Sequence, residues 1–178
     1  WKGLLKKEAL ENWLSNYPIR IGEPKKVGLI LAGNIPMVGF HDVCSVLLSG
    51  HIAQLKLSSQ DTVLIKHLLS KLIEFEPSLS SKIIYEDRMN TIDAIIATGS
   101  NNSARHFDFY FGKIPNIIRR NRNSIAVITG NETAEDFVNL GEDIFRYYGQ
   151  GCRNVSNVFV PREYNFSPML DALEVFNY

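Results

Sequence analysis

The chain has 178 residues and a mass of 20.2 kDa, with 19 Lys+Arg against 19 Asp+Glu and a formal net charge of +0. Hydrophobic residues make up 45% and there are two cysteines, which excludes a disordered chain, a disulfide-stapled secreted module and a generic basic nucleic-acid binder. The length suits one domain or one and a fraction, and the start at Trp1 rather than Met suggests trimming.

Taken in order, residues 4–16 read as an amphipathic helix ending before Pro18, with Leu4, Leu5, Ala9, Leu10, Trp13 and Leu14 near helical spacing. Trp1 and Trp13 read as packing residues. Lys2, Lys6 and Lys7 are not followed by an apolar h-region, so no signal peptide is expected. Arg20–Lys26 is a polar loop. Val27–Ala32 is an almost continuous apolar run, as in a strand covered on both faces of a parallel sheet. Pro36 suits a first helical turn, Val38–Leu48 continues as helix, and Gly50 fits a C-terminal cap.

Ile52–Leu57 is a second strand. Ser58-x-x-Asp61 matches a capping box opening a helix with Leu64, Ile65, Leu68, Leu69, Leu72 and Ile73 inward. Ile83–Tyr85 and Ala94–Ala97 are further strands. Thr98–Ser100 is a turn, and Ser103–Phe111 is helical. Ser124–Ile128 is a strand, Thr133-x-x-Asp136 opens a helix with Phe137, Leu140, Ile144 and Tyr148 on one side, and Asn157–Val160 is a last strand. Strand alternating with helix predicts an α/β fold with a mainly parallel sheet and helices on both faces. The shift in composition at Arg119–Asn123 suggests a boundary between domains at 1–122 and 123–178.

Four stretches could carry chemistry. Gly149–Gln150–Gly151–Cys152–Arg153–Asn154 places a thiol among glycines, which permit a sharp turn and close approach of a substrate. A neighbouring cation or helix N-terminus would activate it; the alternative is a buried, inert cysteine. Gly33–Asn34–Ile35–Pro36 follows the first strand, where ligands bind in parallel sheets. Its amide could meet an oxyanion, or simply cap a turn. Lys56, Ser58 and Ser59 end the second strand, Lys56 facing either a ribose or solvent. Thr98, Gly99 and Ser100 join a strand to a helix start that favours anions, although no G-x-G-x-x-G is present. Cys44 reads as core. The four histidines lack metal spacing. His41 beside Asp42 reads as structural near a helix start, an ion pair being the other reading.

In combination these stretches resemble the aldehyde dehydrogenase superfamily, and most closely its LuxC-like acyl-CoA reductase branch. The resemblance rests on Leu31–Asp42, Leu55–Ser59, Ala97–Asn102 and Tyr148–Ser156, and runs roughly from Val27 to Pro161. It implies an aldehyde-dehydrogenase-like, Rossmann-type domain plus the truncated start of an α/β catalytic domain. It further implies that Cys152 is the covalent nucleophile. Asn34 and the Cys152 backbone N–H would form the oxyanion hole. Lys56, Ser58, Ser59, Thr98, Gly99 and Ser100 would hold the dinucleotide, with Lys56 on the adenosine ribose.

Two departures from the superfamily sharpen the expectation. Where hydrolytic relatives carry a Glu-Leu-Gly-Gly base, Arg119–Ser124 has no carboxylate. Without a base to activate water, thioester exchange is favoured over hydrolysis. Where NAD-preferring relatives often place Glu, this chain has Ser59, which tolerates a 2′-phosphate. The expectation is a cytoplasmic enzyme that reduces acyl-CoA, or another acyl thioester, to an aldehyde with NADPH or NADH. No nucleic acid or membrane span is involved, and a homo-oligomer is compatible. The rivals are a cysteine acyltransferase or thioesterase without nicotinamide, and a non-catalytic interaction module. The arginine run reads as a solvated stretch or as a contact for phosphates of the acyl donor.

Overall fold

The apolar run that opens the first α/β unit becomes β1 (Lys26–Ile30), the middle strand of a five-stranded parallel sheet. The computed structural model describes residues 3, 5–17 and 22–177. The expectations for Trp1, Leu4, Pro18 and the Arg20 end of the first loop lie outside the described residues.

Two compact units emerge. The first comprises the described residues up to Gly33 together with Met37–Arg119; the second comprises Asn34–Pro36 and the described residues from Arg120 onward.

In the first unit the other strands are β2 (Ile52–Lys56), β3 (Ile83–Tyr85), β4 (Ala94–Thr98) and β5 (Asn116–Arg119), in the order β3-β2-β1-β4-β5. Register pairs Leu29 with Leu55 and Ile96. Leu29, Leu31, Ala53, Leu55 and Ile83 form the core with Phe40, Val43 and Val46 of α2 (Phe40–Leu48) and Ile65 and Leu69 of α3 (Thr62–Phe75). Gly28 and Ile30 alternate to the opposite face, where their register partners Ile95 and Ala97 are buried. There α4 (Asn101–Phe111) packs on β4 and β5 and buries Ala104. Helices therefore cover both faces, as expected.

Several boundaries differ from the sequence expectation. Helix α1 is shorter, Lys7–Leu14, and Trp13 remains 38% exposed. Pro36 does not start a helix. Met37 adopts φ 57, which a right-handed helix excludes, and α2 begins only at Phe40. The C-terminus of α2 is as expected: Gly50 N–H donates to Leu47 O and His51 N–H to Val46 O, a Schellman pair.

The Ser58–Asp61 capping box does not form. The buried Asp61 carboxylate accepts the Met37 N–H at 2.6 Å, so it serves a loop 24 residues away rather than its own helix. Leu64, expected inward, is 48% exposed, because α3 buries the Ile65–Leu69 side. Helix α4 starts two residues before Ser103, capped by the Ser100 hydroxyl, which accepts the Ser103 N–H. Strand β5 was not anticipated.

The second unit pairs β6 (Ser124–Val127) with β7 (Val155–Phe159) in parallel, with a bulge after Ser124. Between them runs α5 (Ala134–Phe145), opened by the expected capping box of Thr133 and Asp136. Phe137, Ile128 and Met169 of α6 (Ser167–Leu173), a helix the sequence reading lacked, form its core. Tyr148 lies beyond α5 and is 86% exposed, contrary to its expected place on the helix face.

Candidate active site

The chain leaves α5 through a tight reversal. Tyr147, Tyr148 and Gly149 all have positive φ, at 55°, 55° and 69°. Two non-glycine residues in that region cost about 1–2 kcal/mol each, the kind of local strain that persists only where surrounding structure holds it. The segment then turns about Cys152: Asn154 N–H donates to Gly151 O at 3.0 Å. A Cβ at Gly151 would stand against the Asn154 side-chain oxygen, so a larger residue there would push that side chain aside.

Cys152 sits exposed at the tip of this turn as a free thiol. It lines a cavity of about 280 Å³ with Ile35, Arg146, Tyr147, Arg153 and Asn154, among others. Glu142 and Asp143 of α5 also line that cavity. Arg146 stacks over the Tyr147 ring at 6.0 Å.

Asn34 reaches the same segment from 116 residues away. Its side-chain amide donates to the Gln150 carbonyl at 2.6 Å, two residues before Cys152. An amide NH₂ has two donors, so this bond orients the group and leaves a second N–H. The structure thus brings Asn34 onto the segment that carries Cys152.

The residues expected to hold a dinucleotide lie in the first unit, at the carboxyl ends of β2 and β4. Ser59 lines an open pocket of about 750 Å³ with Leu57, Lys66, Tyr85, Asp87 and Arg88, among others. Lys66 lies 5.5 Å from the centre of the Tyr85 ring. Lys56 is exposed at the end of β2, outside that lining. Ser58 is turned against Gly33, and its hydroxyl accepts the Gln60 N–H. Thr98 ends β4. Gly99 donates its N–H to Arg119 O at 3.2 Å, and Ser100 caps α4. The pocket residues Lys66, Tyr85 and Arg88 were missed by the sequence reading. The rule that ligands gather beyond strand ends, applied to β3, would have found Tyr85 and Arg88.

From the sequence alone, Arg119 belongs to a solvated run or a phosphate contact. It instead places one guanidinium nitrogen across both oxygens of the buried Asp42, at 2.6 and 2.8 Å. His41 Nδ1 lies 3.8 Å from the same carboxylate. Cys44 packs against the core, and burial raises its thiol to about 11. Hydrogen bonds lower two carboxylates of the second unit. The Thr129 backbone N–H leads in bringing Glu132 down to about 2, and the Thr133 backbone N–H leads for Asp136. Among the described residues, no group of three His, Cys, Asp or Glu could hold a metal, and no helix is long and apolar enough to cross a membrane.

The family model described as acyl-CoA reductase (LuxC) matches residues 4–169. No curated protein matches the sequence. Among solved structures, a mutant aldehyde dehydrogenase C of Pseudomonas syringae, complexed with NAD+ and octanal, has a TM-score of 0.70 at 17% identity. The match covers 93% of this chain and 39% of that one. An aldehyde dehydrogenase of Mycobacterium tuberculosis complexed with NAD+ has a TM-score of 0.70 at 20% identity, covering 85% and 34%. The NAD+ complex of an aldehyde dehydrogenase from Bacillus cereus gives 0.70 at 20% identity, covering 86% and 34%. The fold is therefore aldehyde-dehydrogenase-like, and the chain spans 34–39% of the length of these structures.

Proposed function

Because the chain belongs to the acyl-CoA reductase (LuxC) family, we propose that it takes part in reducing an acyl thioester to an aldehyde through a covalent intermediate on Cys152. The observation that carries this reading is the bond from Asn34 to Gln150, which fixes a side-chain amide on the backbone beside an exposed thiol.

The thiolate of Cys152 attacks the thioester carbonyl and forms a C–S bond. The tetrahedral oxyanion is held by the remaining Asn34 N–H and the Cys152 backbone N–H. Collapse expels the donor thiolate, which takes up a proton, and leaves an acyl-cysteine. A reduced nicotinamide dinucleotide, when bound, supplies a hydride to the acyl carbon. Asn34 holds the resulting oxyanion again; the Cys152 C–S bond then breaks, releasing aldehyde and regenerating the thiolate. The segment Arg119–Ser124 offers no carboxylate to activate water, which favours thioester exchange over hydrolysis.

The first unit is proposed as the dinucleotide-binding domain and the second as the opening of a catalytic domain. The pocket beside Ser59 has the size of a small-molecule site. Ser59, Lys66 and Arg88 would hold the adenosine end there, with Lys56 at its edge. Thr98, Gly99 and Ser100 would lie along the diphosphate and nicotinamide, through the start of α4. Lys66 and Arg88, with no carboxylate at position 59, favour NADPH, although Glu86 and Asp87 share the rim.

The test uses the full chain. Cys152→Ala is expected to abolish thioester-dependent NADPH oxidation while leaving NADPH binding, read by fluorescence titration, unchanged. Asn34→Ala is expected to lower turnover more than cofactor affinity. Full activity in Cys152→Ala, or wild-type protein that binds no NAD(P)H, would sink the reading, the latter in favour of a nicotinamide-free acyltransferase or thioesterase.

A further inference from the structure

The turn that carries Cys152 is tied down by Asn154. Its side-chain amide donates to three carbonyls around the end of α5: Asp143 at 2.9 Å, Ile144 at 3.1 Å and Arg146 at 2.9 Å. The last carbonyls of a helix have no partner within it, so two N–H groups here do the work of a C-terminal cap, one of them shared. Asn154 is also fixed through its main chain: its N–H donates to Gly151 O, and its carbonyl accepts the Ser124 N–H at the start of β6. Its side-chain oxygen stands where a Gly151 Cβ would have to go. One residue thus joins a strand start, a helix end and the turn between Gly151 and itself.

We infer that Asn154 is the positioning residue that holds the Cys152 turn in register with the Asn34 amide, by capping α5 with its side chain. This inference rests on the proposed role of Cys152. The observations form a chain within the second unit. The strained residues Tyr147 and Tyr148 start the reversal. Asn34 grips it at Gln150, and Asn154 grips it two residues past the thiol. With one anchor gone, the segment is held on a single side. A nucleophile displaced by about 1 Å loses on the order of 10²-fold in rate, while the acyl group's own binding contacts remain.

The donor character of Asn154 is the essential property. Asp has the same shape but presents a carboxylate to three carbonyl oxygens. Asn154→Ala and Asn154→Asp are therefore both expected to lower kcat by about 10²-fold, with KM for the thioester within about threefold of wild type. Amide hydrogen exchange at Gln150 and Asn154, whose N–H groups bond to Tyr147 O and Gly151 O, is expected to quicken about tenfold or more in both variants. NADPH affinity stays unchanged.

If Asn154 only fills space, the isosteric Asp variant retains wild-type kcat and exchange, and the inference falls. Should the Ala variant fail to fold, Asn154→Ser keeps one donor. An intermediate kcat then supports the inference, and a wild-type kcat overturns it. Activity that survives Cys152→Ala would sink the proposed function by itself. The exchange measurement would still decide whether Asn154 holds the turn.

Discussion

Ser59 is the residue on which cofactor choice is expected to turn. It shares its pocket with Lys66 and Arg88, and with Glu86 and Asp87 on the rim, so a 2′-phosphate beside Ser59 would meet two cations and a neutral hydroxyl against two nearby carboxylates. Ser59→Glu would place a carboxylate against that phosphate, and like charges in contact are strongly disfavoured. The variant is expected to bind NADPH at least about tenfold more weakly, with NADH affinity unchanged or improved. Equal losses for both nucleotides in titration would remove Ser59 from the discrimination. The residue scale also separates the two cysteines. Cys44 is held protonated by burial at about 11, whereas Cys152 is exposed at a turn. A thiol-specific alkylating agent at neutral pH should therefore mark Cys152 first.

Between elements, the contact of most consequence is the ion pair joining α2 to β5. Asp42 is 8% exposed and Arg119 29%, at their side chains. Removing one partner of a buried pair strands the other charge. Because Arg119 keeps some access to water, the expected loss for Asp42→Ala is about 2–3 kcal/mol, below the fully buried range. A urea midpoint that implied less than about 0.5 kcal/mol would show the pair to be worth no more than a surface contact.

The same pair shows where the sequence stops being legible. Strands β1 to β4 could be read because each is an apolar run bounded by turn residues. Strand β5, Asn-Ile-Ile-Arg, is short and polar at both ends, as a sheet edge tends to be, and the sequence pattern assigns it no element. The capping box at Thr133–Asp136 formed and the one at Ser58–Asp61 did not, although the two look alike. What decided it was the Met37 N–H claiming Asp61, a partner that no local pattern contains. For the site, Asn34 and Cys152 were legible through the resemblance of their motifs. The task of Asn154 was not, since its three acceptors lie 8–11 residues back and only folding brings them together.

At the scale of the molecule, the two units rest on unequal cores. Among the described residues the first buries eleven hydrophobic side chains in one cluster and the second three. The second also holds Glu132 and Asp136, two of the three carboxylates that hydrogen bonds depress among the described residues, Glu76 of the first unit being the third, so acid should act on it. Glu132 accepts from Thr129 N–H at 2.6 Å and Gly130 N–H at 2.9 Å, and lies near 2 rather than its ordinary value. A depressed carboxylate contributes stability that is complete above its unfolded value, about 4.3, and is lost as pH falls through the folded one. Between pH 5 and 2 the wild-type melting temperature should therefore drop further than that of Glu132→Gln. Parallel curves would show that these bonds add nothing to stability.

The tripeptide Asn34–Pro36 belongs to the second unit although residues of the first flank it on both sides. The first unit is consequently not a cassette that a single recombination event could lift out. A fragment ending at Arg119 would carry Asn34 without Gln150, and its complement would carry Cys152 without the amide that bonds to Gln150. During synthesis the Asn34 loop emerges 116 residues before its acceptor. The two halves of the proposed oxyanion site are thus inherited, exchanged and completed only together.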